Sequence, residues 1–133
     1  GELDKELKKQ ANDREVDKFI TFLGLKENPF PYMKTCDIYV QTSKFEGFGM
    51  TIAEAKILNK PIISTNYPVI YNILQDKVNG LIVDMTGEAL ANGIQFLSRN
   101  QDLKEFLIKN LQNEENITYK TEYLKLEHLL DEN

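Results

Sequence analysis

Residues 37–55 read DIYVQTSKFEGFGMTIAEA. The apolar run at 37–41 predicts a strand, and the polar residues and two glycines that follow it predict a loop. From about Met50 to Asn59 the pattern predicts a helix. A strand, a glycine-bearing loop and a helix in this order are typical of the ligand-binding edge of an open α/β sheet.

Further strands and helices are predicted on both sides of this stretch. The strands are short apolar runs without polar alternation, which is typical of parallel strands that are buried on both faces. We predict strands at 19–24, 61–65 and 81–83, a loop at 28–34 that leads into a short helix, and a turn at Asn79-Gly80. Longer helices are predicted at about 1–17, 67–76, 88–110 and 118–130. Alternation of these elements predicts the α/β class, as a Rossmann-like three-layer domain with a parallel sheet.

Composition excludes several classes of protein. The chain has 133 residues, of which 41% are hydrophobic and 28% charged, which fits one folded domain and not a disordered chain. A net charge of -5 without a basic stripe argues against a nucleic-acid partner. The single cysteine, Cys36, permits no intrachain disulfide and is predicted to be a small buried residue.

No apolar run approaches the ~18 residues of a membrane span, and no signal peptide opens the chain. A cytoplasmic location is therefore expected. Peripheral association with the inner face of the membrane stays open for the full-length protein.

The loop ahead of the helix at 50–59 has the features of an anion site. The first N–H groups of a helix lack partners within the helix, and the helix dipole adds partial positive charge there. Gly47 and Gly49 let the backbone approach a ligand and permit backbone angles that other residues avoid. We therefore predict that a diphosphate lies against the N–H groups of Gly49, Met50 and Thr51.

Two carboxylates flank this predicted anion site. Met50, Glu54, Ile57 and Leu58 share one face by helical spacing. Glu54 is thus predicted on a buried face, where a carboxylate costs several kcal/mol unless hydrogen-bond donors reach it. A ribose diol would supply such donors. Glu46 lies in the loop before the helix, on the predicted sugar side.

A second interpretation of the same residues needs no ligand. Acidic residues near a helix start often balance the helix dipole, for roughly 0.3–1 kcal/mol. Glycines between a strand and a helix are often only turn residues. The loop also lacks the full G-x-G-x-x-G pattern and a phosphate-loop lysine. From spacing alone, both interpretations remain open.

Residues 37–55 closely resemble the family-four retaining glycosyltransferases, whose hallmark is two glutamates separated by seven residues within an E-G-F-G opening. Glu46 and Glu54 have that spacing here. Further matches, in the family's order, are residues 22–24, 60–65 and 79–83. The resemblance covers about residues 1–85, and the rest matches only in its helical pattern. It implies the C-terminal, donor-binding half of a GT-B fold.

The resemblance also implies a role for each residue of the loop. Glu54 would hold the ribose hydroxyls, and Glu46, the predicted catalytic residue, would hydrogen-bond hydroxyls of the donor sugar. The backbone from Phe48 to Thr51 would contact the sugar and the diphosphate. Beside Glu46 and Glu54, the implied donor-binding set comprises Gly47, Phe48, Gly49, Met50, Thr51 and, near the base, Lys26.

Neither a cofactor nor a metal is expected, because the aspartate-x-aspartate pattern of metal-dependent sugar transferases is absent and histidine and cysteine do not cluster. The helix dipole and basic side chains would then stabilise the negative charge of the leaving group. In the family, an arginine and a lysine for this task lie in the first loop of the donor domain, which would precede Gly1. The resemblance therefore implies that residues 1–133 are a partial donor domain that lacks its first strands and the acceptor domain.

The first strand is central in this kind of sheet. A chain without it is expected to have an unpaired sheet edge and to self-associate. The predicted helix at 118–130, with Tyr123, Leu126 and Leu130 in one stripe, is expected to pack in the core or to dock across the domain junction. His128 on the same helix is expected at the surface without a catalytic role.

The implied activity is transfer of a hexose from a nucleotide-diphosphate sugar, with retention, to an acceptor glycan or lipid bound by another domain. Bacterial cell-surface polysaccharide or glycoconjugate synthesis is the expected setting, and this chain alone is expected to be inactive. A non-catalytic GT-B partner subunit and a nucleotide-sugar epimerase remain as alternatives. The presence of both Glu46 and Glu54 favours the transferase.

Overall fold

The computed structural model describes residues 1–47 and 49–114. Two short 3-10 helices, Asp17–Phe19 and Pro68–Asn72, accompany the main elements. The main elements are α1 (Asp4–Asp13), α2 (Phe30–Thr35), β1 (Tyr39–Gln41), α3 (Met50–Ile57), β2 (Ile62–Thr65), β3 (Leu81–Val83), α4 (Gly87–Arg99) and α5 (Gln101–Gln112). The predicted helix at 118–130, with its apolar stripe and His128, lies outside the described residues.

The three strands form one parallel sheet in the order β1-β2-β3. In its register Val40 pairs with Ile63, and Ile63 pairs with Leu81. The central strand β2 is buried at every position, which is why its sequence shows no polar alternation. The predicted parallel sheet is therefore confirmed.

Helices cover both faces of this sheet. Successive side chains of β2 point to opposite faces, so Ile62 and Ile63 belong to different core clusters. On one face Ile62 packs with residues of α2, α3 and the β2–β3 connection: Met33, Ile52, Ala55, Tyr67, Ile70 and Leu74. On the other face Ile63 packs with Leu81, Leu97 and Leu107. The predicted three-layer Rossmann-like arrangement is confirmed.

The segment Phe19–Gly24 is not a strand, and that prediction is wrong. Phe19 ends the first 3-10 helix with its side chain 78% exposed, and residues 20–26 pair with no described strand. A strand is held by hydrogen bonds to a neighbour, which apolar content alone does not supply. The preceding helix is also shorter than predicted, since α1 ends at Asp13, and Ala11 is its buried residue.

Side-chain caps account for two further differences. The helix predicted at 67–76 is reduced to the 3-10 helix Pro68–Asn72, and Asn79 Oδ1 then accepts a hydrogen bond from the Gln75 N–H (2.7 Å) within the confirmed turn. The helix predicted at 88–110 divides at Asn100. Asn100 Oδ1 accepts a hydrogen bond from the Leu103 N–H (3.0 Å) and caps the start of α5.

Three smaller expectations concern Cys36, the sheet edge and membrane spans. Cys36 is half-buried, not fully buried as predicted, and its Sγ contacts Met33 O (3.1 Å). On the side away from β2, no described strand pairs with β1, so an unpaired edge is present in this part of the chain. Self-association through it stays a prediction. No helix of the described part is long and apolar enough to cross a bilayer.

Candidate functional site

The carboxyl ends of the three parallel strands lie at one edge of the sheet, where ligands bind in open α/β folds. Two hydrogen bonds join the segments that leave this edge. Thr65 Oγ1 donates to Ser43 O (2.6 Å), and the Asn66 N–H donates to Val83 O (3.0 Å). The loop after β1 is therefore fastened to the end of β2, and the end of β2 to β3.

Glu46 is held in this loop by two donors. Ser43 Oγ and Gln41 Nε2 each donate to Glu46 Oε1 at 2.7 Å, and Gln41 Nε2 also lies 2.6 Å from Ser43 Oγ. Glu46 is half-buried. Charge-assisted hydrogen bonds of this length fix a carboxylate in place, so Glu46 is presented at the predicted position as an oriented acceptor.

Gln41, the last residue of β1, connects Glu46 to the start of α3. Its Oε1 accepts hydrogen bonds from the Tyr39 hydroxyl (2.6 Å) and from Thr51 Oγ1 (3.2 Å). The sequence prediction missed Gln41, Tyr39 and Ser43 as residues of the site. The available signal was a polar amide at the end of an otherwise apolar strand.

The start of α3 has no side-chain cap, and its role as an anion site stays a prediction. Gly49 caps the helix in the left-handed region (φ 61°, ψ 32°), and it has no side chain with which to cap an N–H. The first intrahelical bond runs from the Ala53 N–H to Gly49 O (3.0 Å), so the N–H groups of Met50, Thr51 and Ile52 precede the helix ladder. The first turn contains no acidic residue, so no carboxylate there balances the dipole.

The two glycines of the loop differ. Gly49 needs its positive φ, and a Cβ there would lie 2.2 Å from Ile73 Cδ1, so its predicted special conformation is confirmed. Gly47 is exposed, lies outside the left-handed region, and an added Cβ would meet nothing within 4 Å. The same prediction for Gly47 is wrong. Phe48 lies outside the described residues.

Glu54 is half-buried, and the fully buried positions of α3 are Ile52 and Ala55. Its predicted place on a buried face is therefore only partly right, and Met50 on the same predicted face is 55% exposed. Burial raises the pKa of Tyr39, the nearby Thr51 side chain lowers it, and the carboxylates of Glu54 and Glu46 raise it further. Both acids thus lie within electrostatic reach of one phenol.

Tyr67 is a second phenol within electrostatic reach of Glu46. Its side chain is fully buried, and among the described residues its hydroxyl makes no hydrogen bond of normal geometry. Burial raises the pKa of Tyr67, the Ser64 side chain lowers it, and Glu46 and Tyr39 raise it. Two phenols with raised pKa therefore lie within electrostatic reach of Glu46.

Lys26 is exposed, with Nζ 5.9 Å from the centre of the Tyr32 ring on α2. Its role beside a base stays a prediction. Across residues 1–47 and 49–114, no three or more His, Cys, Asp or Glu side chains are placed to hold a metal ion. Metal independence likewise stays a prediction.

Comparison with known proteins decides the family. Residues 1–114 match the family described as glycosyl transferases group 1. The chain belongs to this family. LpsE, a lipopolysaccharide core biosynthesis glycosyltransferase of Rhizobium meliloti, is 29% identical over 105 residues, which cover 78% of this chain and 31% of that protein. An uncharacterized glycosyltransferase of Methanocaldococcus jannaschii, MJ1059, is 36% identical over 66 residues, 50% of this chain and 16% of that protein.

Solved structures agree with this assignment. The C-terminal domain of LpcC, a group 1 glycosyl transferase of Francisella tularensis, has a TM-score of 0.73 at 27% identity and covers 83% of this chain and 58% of that chain. HepE of Anabaena, solved in complex with UDP, has a TM-score of 0.77 at 23% identity, over 92% of this chain and 35% of that chain. The group 1 domain therefore has the predicted Rossmann-like architecture of GT-B glycosyltransferases, and it spans less than a third of the length of the two curated relatives.

Proposed function

We propose that this group 1 domain binds the nucleotide-sugar donor of a retaining, metal-independent hexosyltransferase. The acceptor is bound by another domain of the full-length protein, and the 133-residue chain alone does not transfer. The acceptor is a glycan or lipid of cell-surface polysaccharide or glycoconjugate synthesis, on the cytoplasmic side of the membrane. No cofactor takes part besides the donor itself.

One observation carries this proposal: along the chain, a helix start without a side-chain cap follows one acid and precedes another at the carboxyl edge of a parallel sheet. The N–H groups of Met50 and Thr51 precede the ladder of α3, which suits a diphosphate. Glu46 is oriented by two donors ahead of the helix, and Glu54 lies further along it. The order Glu46, helix start and Glu54 along the chain matches the order sugar, diphosphate and ribose in the donor.

The chemistry of the site follows from this placement. As the glycosidic bond to the leaving diphosphate breaks, negative charge develops on the phosphate oxygens. Fixed N–H dipoles at the start of α3 stabilise that charge because they need no reorganisation during the reaction. Glu46 accepts hydrogen bonds from sugar hydroxyls and fixes the orientation of the transferred ring. Glu54 accepts hydrogen bonds from the ribose diol.

The names of related proteins support the substrate class. HepE has been solved with UDP and with UDP-glucose. Other relatives act in lipopolysaccharide core and O-antigen biosynthesis by name, including LpsE and the Escherichia coli protein WclY, which is 30% identical over 56 residues. A uridine diphosphate sugar is therefore the first donor class to test.

The test is the substitution Glu54→Gln in the full-length protein. Loss of a charged acceptor for two hydroxyls should weaken UDP binding by about 10-fold or more, since hydrogen bonds to charged groups contribute about 1.5–3 kcal/mol. Isothermal titration calorimetry measures the affinity, and release of UDP from UDP-glucose measures turnover. Glu88→Gln, an exposed acid in the first turn of α4, is the matched control and should change neither.

UDP affinity and turnover within twofold of the wild type in Glu54→Gln would remove the ribose role from Glu54. Nucleotide binding without turnover in the wild type would favour a non-catalytic GT-B subunit.

A further inference from the structure

The side chain of Gln41 contacts four polar residues around the candidate site. Its amide nitrogen donates to Glu46 and contacts Ser43, and its amide oxygen accepts from Tyr39 and Thr51, over distances of 2.6 to 3.2 Å. Gln41 is half-buried at the end of β1. Its side chain thus joins the sugar-side acid to the first turn of α3.

The orientation of this amide is determined by its neighbours. Turning the amide over would place Oε1 against the Glu46 carboxylate, where two acceptors repel each other. It would also place Nε2 against the Tyr39 and Thr51 hydroxyls, which can accept as well as donate, so the contact with the Glu46 carboxylate decides the orientation. The orientation described here satisfies every partner, with both hydroxyls donating to oxygen and nitrogen donating to the carboxylate.

Tyr39 helps to maintain this orientation. Burial raises the pKa of Tyr39, with the two carboxylates acting in the same direction, so its hydroxyl remains a neutral donor to Gln41 Oε1. The backbone of Tyr39 is itself fixed, because its N–H donates to Pro61 O (2.8 Å) across the sheet. The chain of contacts from Tyr39 through Gln41 to Glu46 therefore starts on a rigid strand.

We propose that Gln41 is a positioning residue that holds Glu46 ready to accept hydrogen bonds from the donor sugar and links it to the helix start that receives the diphosphate. This inference rests on the proposed function, because the sugar and the diphosphate are the proposed ligands of those two places. Gln41 itself does not touch the reacting atoms. Its loss should therefore affect the sugar part of the donor more than the nucleotide part.

The first test is Gln41→Leu in the full-length protein, with UDP and UDP-glucose as probes. UDP affinity should stay within about twofold. The kcat for UDP-glucose should fall about 10- to 100-fold, as misplacement of a group by about 1 Å does. Gln95→Leu, an exposed glutamine on α4, is the control and should retain both. A kcat within twofold of the wild type in Gln41→Leu would overturn the proposal, and so would an equal loss of affinity for UDP and UDP-glucose.

The second test is Gln41→Glu, which places two carboxyl groups against each other. While the carboxyl groups of residue 41 and Glu46 share one proton, the side chain at 41 can donate a hydrogen bond to Glu46 as the amide did. When that proton is lost with rising pH, the two carboxylates repel each other. Turnover by this variant should therefore fall as pH rises, relative to the wild-type profile. A variant profile parallel to that of the wild type would contradict a contact between residue 41 and Glu46.

The third test needs no ligand. In the full-length protein without ligand, the Gln41 side-chain amide protons should exchange with solvent more slowly than those of Gln95, and Glu46→Ala should remove much of this protection. Equal exchange of the two amides in the wild type would overturn the proposal. If the wild type binds neither UDP nor UDP-glucose, the assignment of a uridine donor fails, while the exchange measurement still decides the role of Gln41.

Discussion

Strand β2 and the segment Phe19–Gly24 have similar sequences and opposite surroundings. Both are short, mainly apolar runs that contain β-branched residues. In β2, Ile62 and Ile63 are fully buried, whereas Phe19 is 78% exposed and Leu23 41% exposed. β2 has a strand on each side and helices on each face, and residues 20–26 pair with no described strand. Burial therefore follows from neighbouring elements, not from composition.

The largest expected effect separates these two regions directly. Ile63→Ala removes a side chain from the cluster with Leu81, Leu97 and Leu107, and should lower the free energy of unfolding by about 2–5 kcal/mol. Phe19→Ala, the matched change in the exposed segment, should alter it by no more than about 0.5 kcal/mol. Urea unfolding of the chain measures both. Similar losses in the two variants would show that Phe19 is packed in solution.

A smaller effect is expected within the loop that leads into α3. Gly49→Ala forces a residue with a Cβ into the left-handed region and against Ile73, at about 1–3 kcal/mol. Gly47→Ala meets open space and should change the free energy of unfolding by about 0.5 kcal/mol or less. The same unfolding measurement applies. Equal stability of the two variants would mean that Gly49 does not hold its left-handed conformation in solution.

The contrast between β2 and residues 19–24 explains which parts of the fold could be predicted from the sequence. Strands β2 and β3 were found because they are apolar runs bounded by turn residues, and β1 because an apolar run ends there in polar residues and a glycine-bearing loop. The strand predicted at 19–24 failed because hydrogen-bond partners are not visible in a local pattern. The helix break at Asn100 could have been predicted, since asparagine is a frequent N-cap.

Only part of the candidate site could be predicted from the sequence. The order of Glu46, Gly49 and Glu54 along the chain predicted the helix start and the two acids, and α3 begins at Met50 as expected. Their roles in binding stay predictions. The network of Gln41 could not be predicted, because it depends on how the loop after β1 folds back to bring Ser43, Glu46 and Thr51 against the Gln41 side chain. The buried Tyr67 hydroxyl likewise depends on how the β2–β3 connection packs with α2 and α3.

The proposed function requires that the start of α3 receives the diphosphate of the donor. The most direct measurement is the change of backbone amide NMR shifts in the full-length protein when UDP is added. The largest shifts should fall on Gly49, Met50 and Thr51, while residues of α1 such as Lys9 should not respond. UDP binding that leaves the amides of residues 49–51 unshifted, with the largest changes elsewhere, would contradict it.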